Sequence, residues 1–108
     1  MLDKGMGRID WSKDAKSVEC LIRGLNPWPS AYTKYKGKTL KLWRAEVVLE
    51  ETGEKPGTVV GVEKDSIMVQ TGKGCLRLLE VQLEGKKRMD AASFLRGVRI
   101  EKGDMLCI

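Results

Sequence analysis

The sequence predicts a mainly β domain, a small antiparallel barrel with a leading helix and a short late helix. Apolar residues change from three- and four-residue spacing to alternation after residue 30. Turn residues then separate five short alternating segments. The chain has 108 residues, 42% of them hydrophobic, which is enough for one domain with one buried core.

The leading helix is expected to begin at Ser12, whose hydroxyl would cap the first turn, with Asp14 adding favourable negative charge there. One stripe of the helix is apolar and should face the core: Ala15, Val18, Leu21, Ile22 and Leu25. Gly24 and the Asn26-Pro27 pair end the helix. The segment Pro27-Trp28-Pro29 should form a rigid corner in which Trp28 is a packing anchor.

Strands are expected at 31–36, 39–49, 58–62, 67–70 and 75–83. In the last strand the leucines at 76 and 78 share one parity, whereas the apolar residues at 79, 81 and 83 share the other. This change of parity indicates a bulge or bend of the kind that turns corners in small barrels. Asp90 should cap a short helix over 91–96 that ends at Gly97.

The composition argues against several kinds of active site. The chain has no histidine, and its three cysteines, Cys20, Cys75 and Cys107, are far apart, so zinc-site spacings and Ser-His or Cys-His pairs are missing. We expect reduced thiols that pack as small hydrophobes. The turn Thr71-Gly72-Lys73-Gly74 is superficially similar to a phosphate loop, but it lacks that loop's spacing and precedes a strand. No metal ligand, cofactor-binding residue or catalytic residue is predicted in this chain.

Basic residues are concentrated in two places. The chain carries 20 basic and 15 acidic residues. The first cluster occupies an acid-free stretch and consists of Lys34, Lys36, Lys38, Lys41 and Arg44. Lys34 and Lys36 are expected to project from one face of a strand. The second cluster is Lys86-Lys87-Arg88. Such clusters suit phosphate contacts that position a nucleic acid without reading its sequence, but a solvated face that protects a strand edge has the same composition.

Seven segments in order resemble the C-terminal domain of methionyl-tRNA formyltransferases. They are Ile9-Asp10-Trp11-Ser12, Ile22-Arg23-Gly24-Leu25-Asn26-Pro27-Trp28-Pro29, Leu40-Lys41-Leu42-Trp43, Pro56-Gly57-Thr58-Val59, Val69-Gln70-Thr71-Gly72-Lys73-Gly74, Leu78-Leu79-Glu80-Val81-Gln82 and Gly85-Lys86-Lys87-Arg88-Met89. The resemblance implies an OB-like barrel over 10–108, with 1–9 as the remnant of an interdomain linker. It also implies an upstream catalytic domain that holds 10-formyltetrahydrofolate and formylates the methionyl amine of initiator tRNA. The chain alone would then be inactive.

The resemblance favours tRNA as the partner of the two basic clusters. It adds Lys4 in the basic linker and Arg99 near a C-terminal basic pair. The full predicted RNA-binding set is therefore Lys4, Lys34, Lys36, Lys38, Lys41, Lys86, Lys87, Arg88 and Arg99. The other implied partner is the enzyme's own N-terminal domain. We expect a cytoplasmic monomer, because no apolar run is long enough to span a membrane and no secretory signal is recognisable.

Two other functions fit the same sequence. The barrel would serve as a structural docking domain if the parent protein were a nucleotide-sugar formyltransferase or a formyltetrahydrofolate dehydrogenase. It would be a free-standing module for single-stranded nucleic acid if Tyr32 or Tyr35 stacked on bases. The second of these is disfavoured, because Trp11, Trp28 and Trp43 all lie among core signals.

Overall fold

In a computed structural model of the chain, which describes residues 8–24 and 31–106, one antiparallel sheet accounts for most of the fold. The elements, in chain order, are α1 (Ala15–Gly24), β1 (Ala31–Tyr35), β2 (Lys38–Val48), β3 (Val59–Val62), β4 (Ile67–Gln70), β5 (Cys75–Leu83), β6 (Met89–Asp90) and α2 (Ala91–Gly97). The strand order is β1-β2-β5-β4-β3, and β6 pairs with β5. The predicted mainly β architecture with a leading and a late helix is confirmed.

The sheet is barrel-like but open, since no ladder joins β1 to β3 within the described residues. Both outer edges are nevertheless covered. Ile9 donates its amide to the carbonyl of Tyr32 on β1 at 2.9 Å, and the amide of Val59 on β3 donates to the carbonyl of Asp104 at 2.7 Å. Covering the edges removes templates for pairing with another chain. The boundary that we placed after residue 9 stays a prediction, although Ile9 itself is buried.

The helix α1 begins later than expected, because Asp14 and not Ser12 caps it. The Asp14 carboxylate accepts a hydrogen bond from the amide of Ser17 at 3.0 Å. The hydroxyl of Ser12 instead donates to the carboxylate of Asp10, in the turn before the helix. The segment around Trp28 and the cysteine at 107 lie outside the described residues.

The irregularity predicted in β5 is confirmed, and β2 changes parity at the same place, which was not predicted. The inward pair Leu42 and Val81 is followed by the inward pair Ala45 and Leu78, with an irregular register between them. Two residues of each strand therefore point outward in succession. Trp43 is one of them, so its assignment to the core was wrong, whereas Trp11 is buried at 3% exposure and donates to Thr33.

One core lies between the concave side of the sheet and α1. Its largest members include Phe94, Ile22, Leu40 and Leu76. Cys75 is buried as expected, but Cys20 is exposed on α1, where our expectation of a packed thiol was wrong. Neither helix in the described ranges is both long and apolar enough to cross a lipid bilayer.

Candidate nucleic-acid interface

Pairing of β2 with β5 brings the two basic clusters together. Lys41 lies opposite Gln82, and Leu40 lies opposite Leu83, in adjacent antiparallel strands. Such strands are about 4.8 Å apart. Since residues 84–88 follow directly after β5, the second cluster emerges beside the first. A shallow hollow of about 240 Å³, lined by Lys41 and Gly85 among others, marks where they meet.

Alternation along β1 and β2 determines which side chains face outward. Leu40 and Leu42 are buried, so Lys41 between them lies on the outer face, and Lys34 lies on the same face because Thr33 and Tyr35 point inward. The ammonium group of Lys34 donates to the hydroxyl of Thr39 at 2.9 Å. We call the outer surface formed by Lys34, Lys41, Lys86, Lys87 and Arg88 the basic face. Lys38 pairs with the inward-facing Tyr35 and shares the parity of Leu40, so alternation does not place it on this face.

The turn that carries the second cluster is held by hydrogen bonds on both sides. The amide of Glu84 donates to the carbonyl of Thr39 at 2.8 Å, and the amide of Lys86 donates to the carbonyl of Leu83 at 2.9 Å. Gly85 has φ +83°, a conformation that favours glycine. Lys86, Lys87 and Arg88 are therefore displayed on a defined backbone and not on a loose loop.

One carboxylate, that of Glu84, lies within the basic face. It accepts the amide of Thr39 at 3.0 Å. This hydrogen bond, helped by the charges of Lys34 and Lys38, lowers the pKa of Glu84. Glu84 therefore stays ionised at neutral pH and offsets part of the charge of these two lysines. Lys41, Lys86 and Lys87, which have no carboxylate partner in the described part of the chain, are the strongest candidates for contacts with an anion.

Lys36 does not share a face with Lys34, so that prediction was wrong. β1 ends at Tyr35, and Lys36 occupies the turn with φ 49°, followed by Gly37 at φ 81°. Two successive residues with positive φ are typical of the tight hairpin turn that matches strand twist. The ammonium group of Lys36 lies 5.3 Å from the centre of the Tyr35 ring. Lys36 therefore lies at the tip of the hairpin and not on the outer face with Lys34.

The backbone of Arg99 lies close to the buried hydroxyl of Tyr35. The hydroxyl of Tyr35 donates to the carbonyl of Arg99 and to the carboxylate of Asp104, both at 3.1 Å. The ring of Tyr35 is buried at 4% exposure, so it does not offer a face to a nucleobase. Arg99 itself is exposed and lines a surface hollow with residues of α2 and of the turn between β3 and β4, so no contact places it in the basic face. Lys4 lies outside the described residues.

Sequence reasoning missed a polar cluster beside the basic turn. Trp43 donates from Nε1 to Oε1 of Gln82 at 3.1 Å, and the guanidinium carbon of Arg88 lies 4.6 Å from the centre of a Trp43 ring. Glu80 pairs with Arg88, and it lies 3.9 Å from Nε of Arg44. The bulge was predicted from β5, whereas the outward position of both Trp43 and Arg44 depends on the register shift in β2, which pairs with it.

The basic face presents ammonium and guanidinium groups on a sheet, so it can bind anions. Ammonium and guanidinium groups donate hydrogen bonds to phosphate oxygens, and such contacts position a nucleic acid without specifying its sequence. In the described part of the chain, no cluster of three or more His, Cys, Asp and Glu side chains is arranged to hold a metal ion. The arrangement is suited to binding a polyanion.

The chain belongs to the formyl transferase C-terminal domain family, whose model matches residues 1–99. Its relatives include methionyl-tRNA formyltransferases. It is 53% identical over 108 residues to a methionyl-tRNA formyltransferase of Agathobacter rectalis, covering all of this chain and 35% of that protein. It is 51% identical over 111 residues to the methionyl-tRNA formyltransferase of Lachnospira eligens, covering 98% of this chain and 35% of that protein. The chain thus spans about a third of the length of these relatives.

Solved structures support the fold. HypX from Aquifex aeolicus in complex with tetrahydrofolic acid superposes with a TM-score of 0.71 at 24% identity, covering 99% of this chain and 21% of that chain. A HypX variant with the substitutions A392F and I419F superposes with a TM-score of 0.69 at 26% identity, covering 100% and 21%. The same barrel-like domain therefore occurs as a small part of a much longer protein.

Proposed function

We propose that this chain is the tRNA-positioning domain of a methionyl-tRNA formyltransferase. In this proposal the basic face holds initiator methionyl-tRNA while an upstream catalytic domain transfers a formyl group from 10-formyltetrahydrofolate to the methionyl amine. The observation that supports it most directly is the pairing of β2 with β5, which merges two separate basic clusters into one outward surface. The family and the relatives named above supply the enzyme class.

The chemistry itself is assigned to the upstream domain. The chain contains no histidine, and its strongest cluster consists of cations suited to binding. We therefore propose that the isolated domain is inactive and that the folate cofactor binds elsewhere in the enzyme. We also propose that the enzyme acts as a cytoplasmic monomer. A formylation assay with this chain alone, and with the complete enzyme as the positive control, tests the first point.

A titration of the chain with tRNA tests the binding role. Binding through about four to six phosphate contacts should be weak and should fall with rising salt, with a slope of log affinity against log salt of about −3 to −5. Filter binding at several potassium chloride concentrations measures this slope. Affinity that does not change with salt, or no detectable binding, would count against the proposal.

Matched charge reversals locate the surface. Lys41→Glu should weaken tRNA binding by about tenfold, because it places a carboxylate in the middle of the basic face. Lys16→Glu changes the net charge equally but lies in the first turn of α1, beside Leu49 and Lys73 and far along β2 from Lys41. It should leave the affinity nearly unchanged. Equal losses in the two variants would show that only net charge matters.

The docking role in a related formyltransferase is the second candidate. It is supported by two apolar side chains that face solvent near α1, Leu49 at 91% exposure and Val47 at 37%. A companion domain that covered them would bury this surface. The tRNA titration separates the two candidates, since a domain that serves only for docking has no reason to bind RNA.

A further inference from the structure

Arg88 differs from the lysines of the basic face because its guanidinium group is held on two sides. Its Nε donates to Oε1 of Glu80, and its guanidinium carbon lies over Trp43, 4.6 Å from the centre of a ring. The side chain is nevertheless 46% exposed. Arg88 is therefore both oriented and accessible, a combination that the neighbouring lysines on the same turn do not show.

Trp43 is itself fixed to the turn that carries Arg88. Its Nε1 donates to Oε1 of Gln82 at 3.1 Å, and Nε2 of Gln82 donates to the carbonyl of Lys86 at 3.0 Å. One amide side chain thus connects the indole to the backbone two residues before Arg88. The stacked arrangement does not depend on a single contact.

The terminal nitrogens of Arg88 remain available in this arrangement. In the described part of the chain Arg88 donates through Nε alone, so neither terminal nitrogen has a protein acceptor there. These two nitrogens form the planar fork that matches two oxygens of a phosphate group. The ring of Trp43 and the carboxylate of Glu80 restrict rotation of the Arg88 side chain before RNA binds. Less conformational entropy is therefore lost on binding.

We propose that Glu80 and Trp43 are positioning residues that hold Arg88 as an oriented fork for a phosphate of the bound RNA. This inference rests on the proposed function. It explains why a carboxylate that opposes RNA by its charge lies next to the basic turn. Glu80 also lies 3.9 Å from Nε of Arg44, so its contribution to stability has to be measured separately from its effect on binding. Orientation of the guanidinium group gives the carboxylate a role in binding.

Substitution of Glu80 separates orientation from charge. Glu80→Gln raises the net charge of the chain by one, so charge alone predicts tighter binding of tRNA. If Glu80 orients Arg88, the variant should bind tRNA about three- to tenfold more weakly, because the guanidinium is no longer held. The measurement is the dissociation constant at about 0.1 M salt by filter binding.

A matched control is available on the same sheet. Glu46 pairs with Arg77 across β2 and β5 at the other end of the outer face. Glu46→Gln makes the same change of charge and removes the carboxylate partner of an arginine on the same outer face, so it should keep the affinity of the unsubstituted chain or increase it slightly. Thermal unfolding of both variants checks that they are equally folded.

A double substitution tests whether Glu80 and Trp43 act through Arg88. Arg88→Lys should weaken binding in the unsubstituted chain, yet should add little in a chain that already carries Glu80→Gln. Trp43→Phe should retain most of the affinity, because a ring still lies under the guanidinium, whereas Trp43→Leu should lose it. In Glu80→Gln and in Trp43→Leu, the slope of log affinity against log salt should become shallower by about 0.7 to 0.9, because the guanidinium group of Arg88 no longer neutralises one phosphate of the RNA.

The outcomes distinguish the proposed function from the positioning role. If the unsubstituted chain binds no tRNA, the proposed function fails and this inference fails with it. If it binds tRNA and Glu80→Gln binds more tightly, or as tightly as Glu46→Gln, the basic face stands and the positioning role is overturned. If the losses of tRNA affinity caused by Arg88→Lys and by Glu80→Gln add up in the double variant, the positioning role is overturned as well.

Discussion

The turn at residues 71–74 offers the sharpest test of the structure, because it has a glycine with no room for a side chain. A Cβ atom added to Gly72 would lie 1.9 Å from the carbonyl oxygen of Ser12, where ordinary contact requires about 3.3 Å. The backbone leading into α1 must therefore move by about 1 Å or more. Two backbone hydrogen bonds join these segments, from Gly72 to Lys13 at 3.0 Å and from Ala15 to Lys73 at 2.9 Å.

We expect Gly72→Ala to lower the free energy of unfolding by about 3 kcal/mol, from the loss of these two hydrogen bonds and from strain in the packed segment behind them. The midpoint of thermal unfolding should then fall by about 15 °C. Urea denaturation monitored by tryptophan fluorescence measures the free energy, since Trp11 lies in the displaced segment. The reference is Gly61→Ala, whose nearest contact would be Met68 Cβ at 3.8 Å and which should change stability by less than about 0.5 kcal/mol.

The result also bears on function, because this turn has a superficial likeness to a phosphate loop. If Gly72→Ala leaves stability unchanged while it abolishes binding of tRNA, the turn is a ligand site and the structural reasoning is wrong. If stability falls as expected, the glycine is needed for close approach of two backbone segments.

Two further substitutions test contacts that hold the ends of the fold. Tyr35→Phe should cost about 1 to 2 kcal/mol, because it removes the hydroxyl that reaches Arg99 and Asp104. Burial, reinforced by the carboxylate of Asp104, raises the pKa of Tyr35, so its contribution to the free energy of unfolding is present below about pH 10 and is lost at higher pH. Denaturation at pH 8 and at pH 11 should show this loss in the parent chain and not in the phenylalanine variant. Asp90→Ala should cost about 1 kcal/mol, because the carboxylate accepts the amide of Ser93 at 2.8 Å and caps α2; Asp90→Ser should restore most of the loss in the same denaturation assay.

Much of the fold follows from local patterns. The periodicity of α1, the alternation of the strands and the cap at Asp90 predicted elements that the structure places within a few residues. The change of parity in β5 even predicted a bulge, because side chains of a strand must alternate unless the backbone is irregular. Ser12 and Asp14 show the limit of such reasoning. Both residue types cap helices, and only the position of the first turn decides between them.

The basic residues of the candidate site could be identified from the sequence, but their arrangement in space could not. Lys36 was expected on a strand, yet the hairpin turn takes it out of the sheet, because Lys36 and Gly37 both have positive φ, as in a type I′ turn. Trp43 was expected in the core, yet the bulge turns it outward, where it lies beneath Arg88. In both cases the neighbouring strand, and not the residue's own propensity, determined where the side chain points.

The sequence by itself determined that this chain forms a mainly β domain with two basic clusters, since periodicity and local charge are properties of neighbouring residues. Only the tertiary structure decided that the clusters form one basic face. That outcome depends on the register between β2 and β5, which pairs Lys41 with Gln82 and sets residues 84–88 beside it. A shift of one residue in that register would turn Lys41 towards the core, because side chains alternate across the sheet.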